Sequence, residues 1–136
     1  MRVELRKRYY CDHCKKAGGS SGHMKRHEAG CTANPARVCG VCRIAGLESA
    51  PLPELLALAR SKAIWRSHHE DGPAWGELSA EAFKAIEDAA GGCPACILAT
   101  FRQTNISHSE FQFKPAMEEI WKNVNEARLA HEYPGY

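Results

Sequence analysis

Apolar positions recur at helical spacing over much of the chain. Leu52, Leu55, Leu56, Ala59, Ala63 and Ile64 follow it, which predicts a helix opened by Pro51 and Pro53 and running to about Trp65. Phe83, Ile86 and Ala90 repeat the pattern behind Ser79, a good N-cap residue, and Gly91-Gly92 ends that helix. Ile97, Leu98 and Phe101 mark another after Cys93-Pro94-Ala95-Cys96. Met117, Ile120, Trp121, Val124 and Leu129 make one face of a last helix, from Pro115 to about His131, with Glu118 and Lys122 paired four apart on the other. That apolar face is expected to be core.

The N-terminal third reads differently. Residues 2–10 alternate weakly and end in Tyr9-Tyr10, which suits a short strand. Residues 17–22 (AGGSSG) read as a turn, with Ser20 or Ser21 capping a short helix to about Ala29 and Gly30 as its stop. Residues 32–38 read as a linker containing Pro35, residues 66–78 as a loop, and residues 103–114 as irregular chain or a short strand holding Phe111 and Phe113. There is no internal repeat. The expected fold is a small α+β protein, mostly helical. A ββα-like unit over residues 1–34 comes first, then a helical lobe over 35–114, then a C-terminal amphipathic helix and tail over 115–136.

Length and composition narrow the classes. A chain of 136 residues makes one domain or two small lobes, and 44% hydrophobic with 25% charged residues is ordinary for a globular protein. No apolar run reaches the ~18 residues of a membrane span. Residues 1–10 carry four basic side chains with no apolar stretch behind them, which is not the pattern of a secretory signal. Charge changes the picture more. Residues 1–43 hold ten Lys/Arg against three Asp/Glu, and residues 44–136 hold eight against thirteen. A basic head on an acidic body points to an anionic partner for the head.

Seven cysteines in so short a chain need a reason, and six of them form three Cys-x-x-Cys pairs: Cys11/Cys14, Cys39/Cys42 and Cys93/Cys96. An odd count without a signal speaks against a secreted disulfide framework and for metal binding in a reducing, cytoplasmic setting. In Cys11-x2-Cys14-x12-His27-x3-Cys31, a knuckle supplies two ligands from one tight turn, and two ligands four residues apart supply the others from one helix face or end. That is what tetrahedral zinc needs. The spacing resembles the two-Cys, two-His zinc finger, with Cys31 in the place of the last His. Tyr9 and Met24 match that family's aromatic and core leucine positions, whereas Gly18 stands where the family has an aromatic. The resemblance implies a ββα finger over residues 9–31 with a thin core. His23, four before His27, is a competing ligand, and His13 inside the knuckle reads as a surface residue.

Cys39, Cys42, Cys93 and Cys96 then make a second, four-thiolate site. The inventory closes, because two tetrahedral zinc ions need eight ligands and seven Cys plus His27 supply them. Four thiolates leave no open position for water, so this site is expected to be structural. A cross-braced arrangement, with Cys11/Cys14 joining Cys39/Cys42, is the other pairing. A thioredoxin-like role fits poorly, since no βαβ pattern surrounds either pair.

Function follows less directly. His68-His69-Glu70-Asp71 between knuckles resembles the layout of HNH nucleases, which use a His as general base. Here no Asn precedes Cys93, Ile97 rather than His follows Cys96, and Asn105 and His108 come in another order. The segment therefore reads as a solvated polar loop, and the chain as not an enzyme. The finger resemblance implies DNA or RNA binding, with Arg26, His23 and Ser20 where the family's base-reading residues lie. Arg6, Lys7, Arg8, Lys15, Lys16 and Lys25 are candidate phosphate contacts. The alternative is a protein partner docking on the acidic, aromatic C-terminal half (Trp75, Phe111, Phe113, Trp121, Tyr133, Tyr136). The strings YYCDHC, GGSSGHMKRHE, NPARVCGVC and GCPACILA resemble small zinc-finger proteins of tailed phages.

Overall fold

The computed structural model of the protein describes residues 1–67 and 74–132. It is a small α+β fold. The His68-to-Asp71 segment and Tyr133 and Tyr136 lie outside the described residues.

The N-terminal unit is ββα. Strands β1 (Tyr9–Tyr10) and β2 (Ala17–Gly18) pair antiparallel, Tyr9 opposite Gly18 and Tyr10 opposite Ala17. Helix α1 spans Ser21–Gly30, and its N-cap is Ser20, in extended conformation with its hydroxyl accepting from the His23 N–H. Residues 1–8 are exposed and in no strand, so only the end of the predicted 2–10 strand forms. The predicted turn at 17–22 is divided between β2, the cap and the first turn of α1. Gly30 is the last residue of α1 rather than its stop, and the cap is Cys31, whose N–H reaches the Glu28 carbonyl.

The second unit is helical around a short sheet. Helix α2 (Gly40–Ala45), which apolar spacing did not announce, starts at Cys39, whose sulfur accepts from the Cys42 N–H. It ends at Gly46, held at φ +67°, a conformation that favours glycine. Helix α3 (Leu52–Lys62) stops short of the predicted end at Trp65. Ile64–Arg66 instead forms β3, which pairs antiparallel with β4 (Trp75–Glu77), so the predicted 66–78 loop contains a strand. β4 in turn pairs in parallel with β5 (Ile106–Ser107). The sheet closes tightly at Gly76, where a Cβ would sit 2.8 Å from Ile106 Cγ1. Helix α4 (Ala80–Ala89) is capped by Ser79, as its sequence predicts. Gly91 and Gly92 then turn the chain with positive φ.

Helix α5 (Pro94–Thr104) is the centre of the lobe. Leu55 and Ala59 of α3, Ile86 of α4, Cys93, Ile97 and Phe101 make its core with Ile106. Two hydroxyls sit in that core at no polar cost, Thr100 donating to the Cys96 carbonyl at 2.8 Å and Thr104 to the Thr100 carbonyl at 2.7 Å. Helix α6 (Phe113–Glu132) packs on α2 and α5. Its apolar stripe is not the core that its pattern predicts, because Trp121 stays 38% and Leu129 50% exposed. Among the described residues, no helix is long and apolar enough to cross a membrane.

The segment expected to be a linker is a pinned strap. Gln103 donates to the carbonyls of Thr32 (2.9 Å) and Asn34 (3.1 Å), and Arg102 reaches the Thr32 hydroxyl at 2.7 Å. The strap is also tied back to α1, through Asn34 to the Glu28 carbonyl and the Val38 N–H to the Ala29 carbonyl.

Ile86 is fully buried. Ile86→Ala is expected to destabilise the metal-loaded protein by about 2–5 kcal/mol in urea denaturation. Exposed Lys84→Ala, half a turn earlier, should change stability by no more than about 0.5 kcal/mol. Equal losses would refute the assignment of the core.

Candidate metal centres

Each group of ligands is built by local turns that aim sulfur inward. In the first, the Cys11–Cys14 turn follows β1 and is closed by the Cys11 N–H reaching the Lys16 carbonyl at 3.0 Å. The N–H groups of His13 and Lys16 point at the sulfurs of Cys11 and Cys14, each at 3.4 Å. Glu28 of α1 braces the same turn by accepting from the Asp12 N–H at 3.0 Å. His27 and Cys31 come from the end of α1. The four ligand atoms of Cys11, Cys14, His27 and Cys31 all lie within 4.8 Å of one another. His27 Nε2 approaches Cys14 Sγ to 3.2 Å.

The second group joins the N-termini of two helices. Cys39 and Cys42 flank the start of α2, and Cys93 and Cys96 the start of α5. Their sulfurs also lie within 4.8 Å of one another, with Cys39 to Cys93 at 3.6 Å and Cys42 to Cys96 at 3.5 Å. Arg37 Nη1 stands 3.7 Å from Cys96 Sγ, while its Nε donates to the Gly30 carbonyl at 3.2 Å. The arrangement is therefore three Cys with one His, and four Cys, each within reach of one ion. The pairs meet in this partition rather than the cross-braced one.

The electrostatics of both groups are compatible with a bound cation. The Lys16 N–H and then His27 hold the Cys14 thiol down at about 6 from an ordinary 9.0, whereas burial pushes the Cys31 thiol up. In the second group, hydrogen bonds from Cys93 and Cys96 hold Cys39 far below the usual thiol range. The same contact with Cys39 raises Cys93, and burial pushes Cys42 up to about 12. Each group thus concentrates negative charge on one sulfur and resists it on the next. A divalent ion removes the conflict by letting every sulfur ionise.

Other sequence candidates fall elsewhere. His23 belongs to neither group, is exposed and has its Nδ1 3.0 Å from Arg26 Nη2. His13 is exposed too. Arg6, Lys7, Arg8, Lys15, Lys16, Lys25 and Arg26 are all exposed. Asn105 caps α5 in the left-handed region and donates to the Ala74 carbonyl. His108 stacks on Phe83 with ring centroids 4.4 Å apart. Sequence reading did not find Arg37 or Glu28, whose roles depend on neighbours brought in by folding. No family model, curated protein or solved structure matches the chain.

Ligand atoms bind metal only when deprotonated, so protons compete with the ions and affinity falls as pH falls. Acidification from about pH 8 to about pH 5 is expected to release the bound metal, read by elemental analysis after gel filtration. At neutral pH, Cys31→Ser should lower the metal content toward one ion per chain, and His23→Ala should leave it unchanged. The reverse result would hand the fourth position to His23.

Proposed function

We propose that the protein is a two-zinc, nucleic-acid-binding protein whose basic ββα unit contacts DNA or RNA phosphates. Zinc is favoured by the donor sets, since thiolate-rich, four-ligand groups suit a soft-tolerant tetrahedral ion. Both groups use all four positions for protein ligands, which gives the ions a structural rather than a catalytic role.

The observation that carries the nucleic-acid reading is a set of cations with nothing to neutralise them. Among the described residues, Lys7, Arg8, Lys15, Lys16 and Lys25 are exposed and make no ion pair, while Arg6 pairs only with exposed Glu4. Five unpaired cations around one small unit repel each other, and a polyanion relieves that. Arg26 and His23 lie on the exposed side of α1, near its start, where side chains of such a helix reach base edges. A second reading, a protein partner at the other end, is favoured by the exposure of Ile44 (56%), Trp121 and Leu129 along α2 and α6.

The test is a titration of the zinc-loaded protein with DNA and RNA at two salt concentrations. Binding is expected to fall with salt, and Lys25→Ala with Arg26→Ala should reduce the log–log salt slope by about 2 while metal content is unchanged. Absence of binding at low salt would favour the protein-partner reading.

A further inference from the structure

We propose that the four-thiol group is a peroxide-sensitive modification site, at which oxidation joins Cys39 to Cys93 and Cys42 to Cys96 and so displaces its ion. The inference rests on the reading that both groups hold zinc.

Access comes first. A cavity of about 390 Å³ opens beside the group, and Cys39, Cys42 and Cys96 form part of its wall with Arg37, over a floor that includes Leu55. The hollow beside the first group is lined by residues such as Lys16, His23 and His27 and has no cysteine in its wall. The half-buried sulfur of the first group, Cys14, approaches His27 Nε2 at 3.2 Å, whereas the half-buried sulfurs of the second each approach another sulfur.

The pairing is the second observation. Cys39 and Cys42 are half-buried, whereas Cys93 and Cys96 are 0% and 6% exposed. All four sulfurs lie within 4.8 Å of one another, and two contacts across the knuckles each set an accessible sulfur against a buried one, at 3.6 and 3.5 Å. An accessible thiolate beside a resolving cysteine is the arrangement of thiols that oxidise reversibly.

The chemistry balances with hydrogen peroxide as oxidant. The Cys42 sulfur attacks one peroxide oxygen, the O–O bond breaks, and the leaving hydroxide takes a proton to become water. Cys42 is then a sulfenic acid. The Cys96 sulfur attacks it, the S–S bond forms, the S–O bond breaks, and a second hydroxide leaves as water. Two thiols lose two electrons and one peroxide gains them. Cys39 and Cys93 repeat the sequence with a second peroxide. Both new bonds join the same two chain segments that the ion joins, so the lobe stays closed. Bonds within a knuckle, Cys39 to Cys42 or Cys93 to Cys96, would leave it open.

The experiment uses the full chain loaded with zinc, counted before and after hydrogen peroxide with a chromogenic chelator, then mapped by mass spectrometry after thiol alkylation. The expected result is an initial two zinc per chain, release of one, and peptides linking Cys39 to Cys93 and Cys42 to Cys96. Dithiothreitol and added zinc should restore the second ion. Retention of both ions, release of both in step, or bonds within the knuckles would each overturn the proposal and leave the zinc reading standing. An initial count below two would instead overturn the zinc reading.

Discussion

Like charges held close are the constraint around which this molecule is arranged. Cys39 and Cys93 stand 54 positions apart in the chain, yet their sulfurs are 3.6 Å apart in the fold. Bringing four ionisable thiols into one cluster costs free energy unless a cation shares their charge, because each thiolate opposes the next. The lobe is built to hold them there. The start of α2 presents the Cys42 N–H toward the Cys39 sulfur. Leu55, Ile86 and Ile97 fill the space between α3, α4 and α5 behind them. The sheet closes the far end. A lobe with so few fully buried side chains gains from a clamp at the point where its first and fourth helices meet.

The strap between the two centres converts separate units into one arrangement. Arg37 links them most directly, with one nitrogen on the last carbonyl of α1 and another beside Cys96. Gln103 and Arg102 add a second attachment through Thr32 and Asn34. Arg37, the Asn34 side chain and the Val38 N–H use the Gly30, Glu28 and Ala29 carbonyls at the C-terminus of α1, so the helix end is satisfied by the strap. The position of the basic helix relative to the lobe is therefore set by residues adjacent to both groups of ligands.

Much of this was legible in the sequence where the determinant is local. A metal knuckle needs a fixed spacing, so Cys11/Cys14, Cys39/Cys42 and Cys93/Cys96 announce themselves, and Ser20 and Ser79 mark helix starts by the hydrogen bond each side chain makes. What was hidden depends on partners distant in sequence. Ile64 and Trp65 continue a helical pattern but form a strand, because β4 can sit between them and Ile106 only if Gly76 lacks a side chain. Helix α2 is six residues long and takes its cap from a ligand sulfur, which leaves no periodic signal. The α6 stripe has the right period but too small a lobe to cover it, so amphipathicity predicted a buried face where a half-covered one exists.

The thin core of the N-terminal unit ties its two proposed properties together. Cys11, Met24 and Cys31 are its buried residues among those described. Burying one such apolar side chain contributes about 1.5–3 kcal/mol. Ordering each backbone residue costs about 1–2 kcal/mol, so a unit of this size cannot hold its shape on apolar burial alone. The eight exposed Lys and Arg side chains around it add repulsion to that deficit. Apparent zinc affinities of about 10–16 kcal/mol in comparable small units are large enough to reverse the balance. On that reading the ion fixes the helix that presents Arg26, and the cations it holds together are what a polyanion would engage. Metal and nucleic acid would then act in sequence on one element: the first makes α1 persist, and the second uses the charge that its persistence concentrates.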